Sequence, residues 1–408
     1  MSVKEYEVYG YRWVVLGVFM FVNVTVQILW ITFASISGAA AEFYGVSDLQ
    51  IGFLAMLYMI IYVPLSIPIS WLIDTYGFRK AVGFGALLLG IFGLLRGLFA
   101  SNYTMVIVAS VGIAISQPFF LNAFTTVAAR WFSIGERAMA SGLATVAMFI
   151  GIAVGMVATP PLILEYGIPT TLLIYGAIAA ISALVFLLLV KDAPPTPPCP
   201  PGYEERALML DGLKQMLKLK DIWFLMFVFL VGMGIFNGIS TWIENIVRPK
   251  GFSITEAGEL GGFFLLGGVL GAVVIPALSD KYRKRAFFML MGMVLAVPAL
   301  VGVIYATGYW LMVISILALG FFMVGLAPVG YQYAAEITYP APEGTSNGLM
   351  VLAGQISVVF VYAMEALKAE DGSFTNSLLM LLGLMLVGAF LISRLKESTM
   401  MDDQIKRR

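Results

Sequence analysis

The side chains that most often make and break bonds are scarce in this chain. There is no histidine, and the one cysteine is Cys199. Neither a His/Cys metal cluster nor a disulfide framework can be built from that inventory. No nucleophile stands at usable spacing from a base, which argues against an enzyme and against a resident cofactor. What remains is a set of carboxamides inside long apolar runs: Asn23, Gln27, Gln117, Asn122, Asn237, Gln332 and Gln355. At lipid depth an amide needs a partner or water. These residues therefore either line a wet cavity that receives a small polar solute or bond one helix to another. Glu244 and Glu365 fall toward the ends of apolar runs and are the candidates for carrying a coupled proton. Such residue types suit reversible binding rather than bond-making.

The elements that must position them are membrane spans. Hydrophobic residues make up 60% of the 408 and charged residues 12%, against about 25% charged in a soluble domain. Twelve segments approach the roughly 20 apolar residues needed to cross a bilayer. They are 12–37, 48–73, 80–100, 103–129, 137–159, 168–190, 221–246, 254–279, 285–306, 309–334, 343–366 and 374–393, called spans 1 to 12. Their length and lack of period-two alternation predict helices, so the fold class is an all-α membrane protein. The start, "MSVKEYEVYGYRW", lacks a cleavage-site pattern, so span 1 is expected to be retained. With a cytoplasmic N-terminus, every lysine and arginine falls inside except Arg96, Arg248, Lys250 and Lys368. That asymmetry puts both termini in the cytoplasm of a protein of the cell (plasma or inner) membrane.

The chain repeats itself. "YGVSDLQIG" at Tyr44–Gly52 and "KGFSITEAG" at Lys250–Gly258 share Gly, Ser and Gly at a shift of 206 residues. Ser47 with Gln50, and Ser253 with Glu256, predict capping boxes that open spans 2 and 8. The same shift maps Asp74 and Tyr76 onto Asp280 and Tyr282, Ala128-Ala129 onto Ala334-Ala335, and Gly142-Leu143 onto Gly348-Leu349. Two six-helix halves in parallel repeat follow, 1–190 and 221–408. Between them, "KDAPPTPPCPPGYEER" is too proline-rich for a helix. "ALMLDGLKQMLKLKD" after it reads as an amphipathic or a solvated helix. Small residues, Gly142, Gly151 and Gly155 in span 5 and Gly267 and Gly271 in span 8, predict close helix contacts, and Pro160-Pro161 is expected to end span 5.

Twelve spans in two halves resemble the major facilitator superfamily. "SWLIDTYGFRKAVGF" between spans 2 and 3 is similar to its signature loop, matching at Leu72, Asp74, Gly77, Arg79 and Lys80, with a worn copy in "PALSDKYRKRA". Asp74 is expected to face a helix N-terminus and, with Arg79 and Asp280, to serve gating. Arg130 and Glu336 occupy repeat-equivalent positions with opposite charge. They are expected either to latch the two halves or to pair each within its own half, as are Glu136, Arg137 and Glu343.

Three stretches resemble a narrower group, the feline leukaemia virus subgroup C receptor family, whose members carry choline and ethanolamine or are linked to haem. They are "ILWITFASIS", "YGVSDLQIGFLAMLYMIIYVPLSIPISWLIDTYGFR" and "AAEITYPAPEGTSNGL". The resemblance implies a central site in which a span 1 Trp and a span 7 aromatic hold a quaternary ammonium, with glutamines on spans 4 and 11. The matching positions here are Trp30, Gln117 and Gln355. The span 7 position falls on Asn237, so one wall of that cage is missing; Trp242 is near in sequence. Each aromatic face would contribute roughly 0.5–2 kcal/mol to a cation.

The expected function is an alternating-access, monomeric uniporter for a small choline- or ethanolamine-like solute in a lipid bilayer, with no nucleic-acid partner. Spans 1, 4 and 10 carry no acidic residue at mid-depth, which favours facilitated diffusion. Proton- or ion-coupled movement of another metabolite is the alternative, with haem, a channel and a receptor further behind.

Overall fold

A computed structural model of the protein describes residues 8–133, 136–196, 198, 216–338 and 343–397. The proline-rich stretch and most of the following helix candidate lie outside these residues. Among the described residues there are helices and no strands. Eleven helices among them are long and apolar enough to cross a membrane. One of them, Arg137–Leu189, folds back at Gly167 (φ 78°) and is two crossings, spans 5 and 6. Twelve crossings result.

The chain divides into two compact units: Met1–Phe33 with Ala40–Ala207, and Ala34–Ala39 with Leu208–Arg408. The assignment of Ala34–Ala39 to the second unit is not anticipated by the sequence, which runs it on as part of span 1.

Both capping boxes form. In the first, the Ser47 amide donates to Gln50 Oε1 at 2.9 Å and the Gln50 amide to Ser47 Oγ at 3.3 Å. In the second, the Ser253 amide donates to Glu256 Oε2 at 2.8 Å and the Glu256 amide to Ser253 Oγ at 3.3 Å. Gly45 (φ 65°) and Gly251 (φ 88°) turn the chain just before each box. Left-handed backbone favours glycine there, which accounts for the repeated punctuation.

Helix pairing repeats as well. In the first unit Gly151 and Gly155 of span 5 lie against the span 1 backbone at Val24 and Ile28, and Gly90, Gly93 and Gly97 of span 3 lie against span 6. In the second unit Gly234 and Gly238 of span 7 receive Phe360 and Met364 of span 11, and Gly388 of span 12 meets Met293 of span 9. Spans 8 and 10 approach at Gly267, Gly271, Gly320 and Gly325. Gly142 has nothing within 4 Å, so it takes no part in the packing expected of it. Pro160-Pro161 does not end span 5: the helix runs on to the bend at Gly167. In hydrocarbon a proline removes one bond, but leaving the helix would strand many more.

Candidate functional site

Three spans are interrupted inside the membrane. Span 1 is helical over Arg12–Ile31, turns at Thr32-Phe33, makes a 3-10 turn at Ala34–Ile36 and resumes as Ser37–Tyr44. Span 4 is helical over Tyr103–Leu121, pauses at Asn122-Ala123 and continues as Phe124–Trp131. Span 11 runs Glu343–Gln355, breaks at Ile356-Ser357 and resumes as Val358–Ala366. The residues expected to bind solute, Trp30, Gln117 and Gln355, each lie within five positions before such a break. Interrupted helices within a bilayer expose backbone polar groups at lipid depth, which is where transporters place solute and ion sites.

In the first unit, Trp30 is buried and its indole nitrogen donates to the Ala55 carbonyl of span 2 at 3.1 Å. That bond fixes the ring's direction. The break beside it is held by Arg96 of span 3, which is 1% exposed. Its Nη1 donates to the Leu29 carbonyl at 2.8 Å and its Nη2 to Thr32 Oγ1 at 3.3 Å, with the guanidinium 5.7 Å from the Phe33 ring centre. A cation at a helix C-terminus meets the negative end of the helix dipole, and Thr32 Oγ1 donates to the Ile28 carbonyl at 2.6 Å. Residues 28 to 32 are thus supplied with donors by side chains where the helix withdraws its amides. Gln117 is 5% exposed and its Oε1 is buried without a hydrogen-bond partner. Asn122 is fully used: it accepts from Tyr62 Oη at 2.7 Å and donates to the Ser66 carbonyl at 2.9 Å and Ser70 Oγ at 3.0 Å. Asn23 donates to the Phe19 carbonyl at 2.9 Å. Gln27 is buried against Gly151 of span 5.

In the second unit, Asn237 Nδ2 donates to Ser357 Oγ at 3.0 Å, in the break of span 11. Trp242 sits at a kink of span 7 (φ −104°, ψ 16°) and is fully buried. Its nitrogen donates to the Val361 carbonyl at 2.9 Å and its ring lies 5.7 Å from Phe374. Asn237 and Trp242 therefore both hold the second segment of span 11, Val358–Ala366, and its N-cap Ser357, and the Trp242 ring is enclosed by packing. Gln355 is half-buried at the last helical position before the break. Gln332 donates to Glu336 at 3.0 Å.

The two acidic candidates differ. Glu365 pairs with Lys368 at 2.5 Å. Glu244 is 2% exposed and accepts from Ser37 Oγ at 2.7 Å and the Gly38 amide at 3.1 Å, with Arg248 at 3.5 Å. All of these belong to the second unit.

The charged ends revise the sequence reading. Asp74 is exposed, and the N-terminus of span 3 (Phe78–Leu98) is met instead by Asp192, which accepts from the Arg79 amide at 2.9 Å and pairs with Arg130. The second unit has the counterpart: Glu397 accepts from the Ala286 and Phe287 amides at 3.1 and 2.9 Å, at the start of span 9 (Arg285–Tyr305). Glu336 pairs with Arg285 at 3.2 Å, and Arg285 also pairs with Asp280. Arg130 and Glu336 are thus each engaged within their own unit. Glu136 accepts from Arg12 at 3.0 Å and Arg137 donates to the Ala129 carbonyl at 3.2 Å; the Glu343 side chain lies outside the described residues. Asp192 and Glu397 were not singled out above. The signal for them is Lys191-Asp192 recurring as Lys396-Glu397, each just after the last span of its half.

The profile of the major facilitator superfamily matches residues 14–253 and 244–404. The chain belongs to that superfamily. It is a multi-pass membrane transporter, and its partners are a small-molecule substrate and the bilayer. The transporter is 28% identical to the choline/ethanolamine transporter FLVCR2 of Homo sapiens over 89% of this chain and 73% of that protein. It is 30% identical to an uncharacterized MFS-type transporter of Caenorhabditis elegans, over 92% of this chain and 68% of that one. It is 29% identical to solute carrier family 49 member A3 of Xenopus tropicalis, over 89% and 79%. Among solved structures it is similar to a bacterial homologue of the human lysosomal transporter Spinster in an inward-facing, unoccupied conformation. The TM-score is 0.75 at 17% identity, covering 95% of this chain and 97% of that one.

Proposed function

We propose that the transporter is a facilitative carrier of a small organic cation or polar metabolite of the choline or ethanolamine type. It would work as a monomer by alternating access, without enzymatic activity or a nucleic-acid partner, in the plasma or inner membrane with both termini cytoplasmic. The observation that carries the substrate reading is the unpartnered, buried Gln117 Oε1. An acceptor left without a bond in the interior costs roughly 1–3 kcal/mol, and a solute hydroxyl or ammonium hydrogen would satisfy it. Trp30 supports the same reading, since an aromatic face needs no counter-charge to hold a cation. Gln355, at the last helical position before the break of span 11, is the candidate of the second unit. Asn237 and Trp242 act in this scheme by setting the second segment of span 11. The names of the relatives support the solute class.

Gating is assigned to the charged ends, where Asp74, Arg79, Arg130, Asp280 and Glu336 stand. Arg130 would have to leave Asp192, and Glu336 leave Arg285, before either took part in a latch. The test of the main reading is counterflow of radiolabelled choline and ethanolamine into vesicles holding the purified protein at equal pH. Uptake that falls at least tenfold in Trp30→Ala and Gln117→Ala is expected. Uptake of neither solute, or uptake indifferent to both substitutions, overturns it.

One observation favours proton coupling as a second reading. Ser37 Oγ lies 2.7 Å from Glu244 Oε2 and 2.5 Å from Asn245 Oδ1. One hydroxyl proton serves one acceptor. The second contact needs either a proton on Glu244 or an Asn245 amide turned to donate through Nδ2. Accumulation driven by an imposed pH gradient and lost in Glu244→Gln would establish this reading over facilitated diffusion.

A further inference from the structure

The geometry points to a binding site for an anionic phospholipid between the ends of spans 3 and 6, inside the first unit. A groove of about 630 Å³ is lined by Tyr76, Arg79, Lys80, Phe84, Leu87 and Leu187, with Gly83, Phe186 and Asp192 completing it.

Its polar end is cationic. Arg79 and Lys80 are exposed, and neither side chain is paired with a carboxylate among the described residues. The acid at the rim, Asp192, is already neutralised by Arg130 and by the Arg79 amide. The first turn of span 3 lies at the same end and is already capped by Asp192. Two exposed cations beside an acid that is already satisfied favour a phosphate-bearing group.

The rest of the groove is apolar and open. Phe84 is 53% exposed, Leu87 43% and Leu187 39%. Lys80, Phe84 and Leu87 lie at i, i+4 and i+7, one face of one helix. At 1.5 Å per residue, the apolar wall runs about 10 Å along the helix from the cation. Gly83 forms part of the floor, where a Cβ would come into ordinary contact with Leu187 Cδ2 at 3.4 Å. A soluble anion would use only the cationic end. An amphiphile with phosphate at one end and an acyl chain at the other uses both. Under the topology read from lysine and arginine, the cations lie at the cytoplasmic leaflet, where anionic lipids reside.

Two cations near a membrane surface, each about 1 kcal/mol, correspond to about a thirtyfold preference for phosphatidylserine over phosphatidylcholine. The test uses the full chain reconstituted in phosphatidylcholine with and without phosphatidylserine. Thermal unfolding and native mass spectrometry of retained lipid are measured in parallel. Wild type is expected to retain phosphatidylserine and unfold at a higher temperature in its presence, with the shift shrinking at high salt. Arg79→Gln with Lys80→Gln should abolish the preference, and Phe84→Ala with Leu87→Ala should weaken retention while leaving both cations. Inorganic phosphate alone should reproduce neither effect. A photoactivatable phosphatidylserine crosslinked to wild type should label spans 3 and 6, which tests the site without any variant that misfolds. Label elsewhere, a phosphatidylserine shift that survives the double cation variant, an equal shift with inorganic phosphate, or no shift in wild type because another segment of the chain fills the groove would each overturn the assignment.

Discussion

Gly271→Ala should destabilise the second unit, and the structure gives the size of the effect. A Cβ at Gly271 would lie 1.9 Å from the Phe321 carbonyl oxygen and 2.7 Å from its carbon. Ordinary contact begins at 3.4 Å, so span 10 would have to retreat by about 1.5 Å (3.4 less 1.9). The obstacle is backbone on a long helix and cannot rotate aside. Its neighbours are as tight, with Gly267 facing the Leu317 oxygen at 2.1 Å and Gly320 the Phe264 oxygen at 1.9 Å. A gap of 0.5–1 Å already forfeits a quarter to a half of each dispersion contact, and overpacking costs typically about 1–3 kcal/mol. Against this, alanine gains about 1 kcal/mol of helix propensity over glycine. Gly142 and Gly348 isolate that gain, because neither has anything within 4 Å. Thermal unfolding of purified protein should therefore rank Gly142→Ala and Gly348→Ala at or above wild type and Gly271→Ala clearly below it. The expected separation is about 1–3 kcal/mol. If Gly271→Ala unfolds together with the two open-site variants, spans 8 and 10 are not in backbone contact and the reasoning fails.

Other outcomes follow from single contacts. Asp192→Asn and Glu397→Gln each remove a charged cap from a helix start and should lower stability by about 1 kcal/mol, read by thermal unfolding, with Asp74→Asn, an exposed residue, close to neutral. Arg96→Met withdraws the donors from Leu29 and Thr32; bonds from a charged donor contribute about 1.5–3 kcal/mol, less the relief of desolvating the guanidinium, so a net loss of stability larger than that of Arg79→Met is expected. Ser357→Ala frees Asn237 Nδ2 in a buried site and should destabilise more than Ile356→Ala, whose side chain is 44% exposed. Glu244→Gln should retain counterflow at equal pH if transport is facilitative; loss of counterflow would place Glu244 in the cycle itself.

The fold was largely legible because its strongest signals are local. A capping box closes within three residues, and its repetition at a fixed shift betrays the duplicated half without any knowledge of contacts. The caps of spans 3 and 9 are another matter. Asp192 reaches the Arg79 amide and Glu397 the Phe287 amide from 113 and 110 residues away. Only their shared place after the last span of each half hints at them. Asp74 carries the motif, yet it is exposed while Asp192 holds the helix start, because a helix N-terminus is satisfied by whichever carboxylate the tertiary fold brings to it. At the candidate site the resemblance pointed to Trp30, Gln117 and Gln355, but nothing in the sequence warned that the helices carrying them are broken.

The breaks were hidden because the usual rule inverts in a bilayer. Pro64, Pro68, Pro118, Pro160, Pro161, Pro276, Pro298 and Pro328 all lie inside continuous helix. The interruptions fall at Thr32-Phe33, Asn122-Ala123 and Ile356-Ser357, where no residue is proline or glycine. In water a proline ends a helix cheaply, since solvent takes the freed groups. In hydrocarbon nothing takes them, so the helix closes around the missing bond. At the span 1 break a neighbouring side chain takes a freed carbonyl, Arg96 at Leu29; at the other two, neighbouring spans bond the side chains of the break residues, Ser66 and Ser70 at Asn122 and Asn237 at Ser357. Part of the instruction to break span 1 is therefore written in span 3, and the break of span 11 is anchored from span 7. A search for such sites in a sequence of this class should look for polar side chains on the spans that pack beside a candidate helix, rather than for breakers within it.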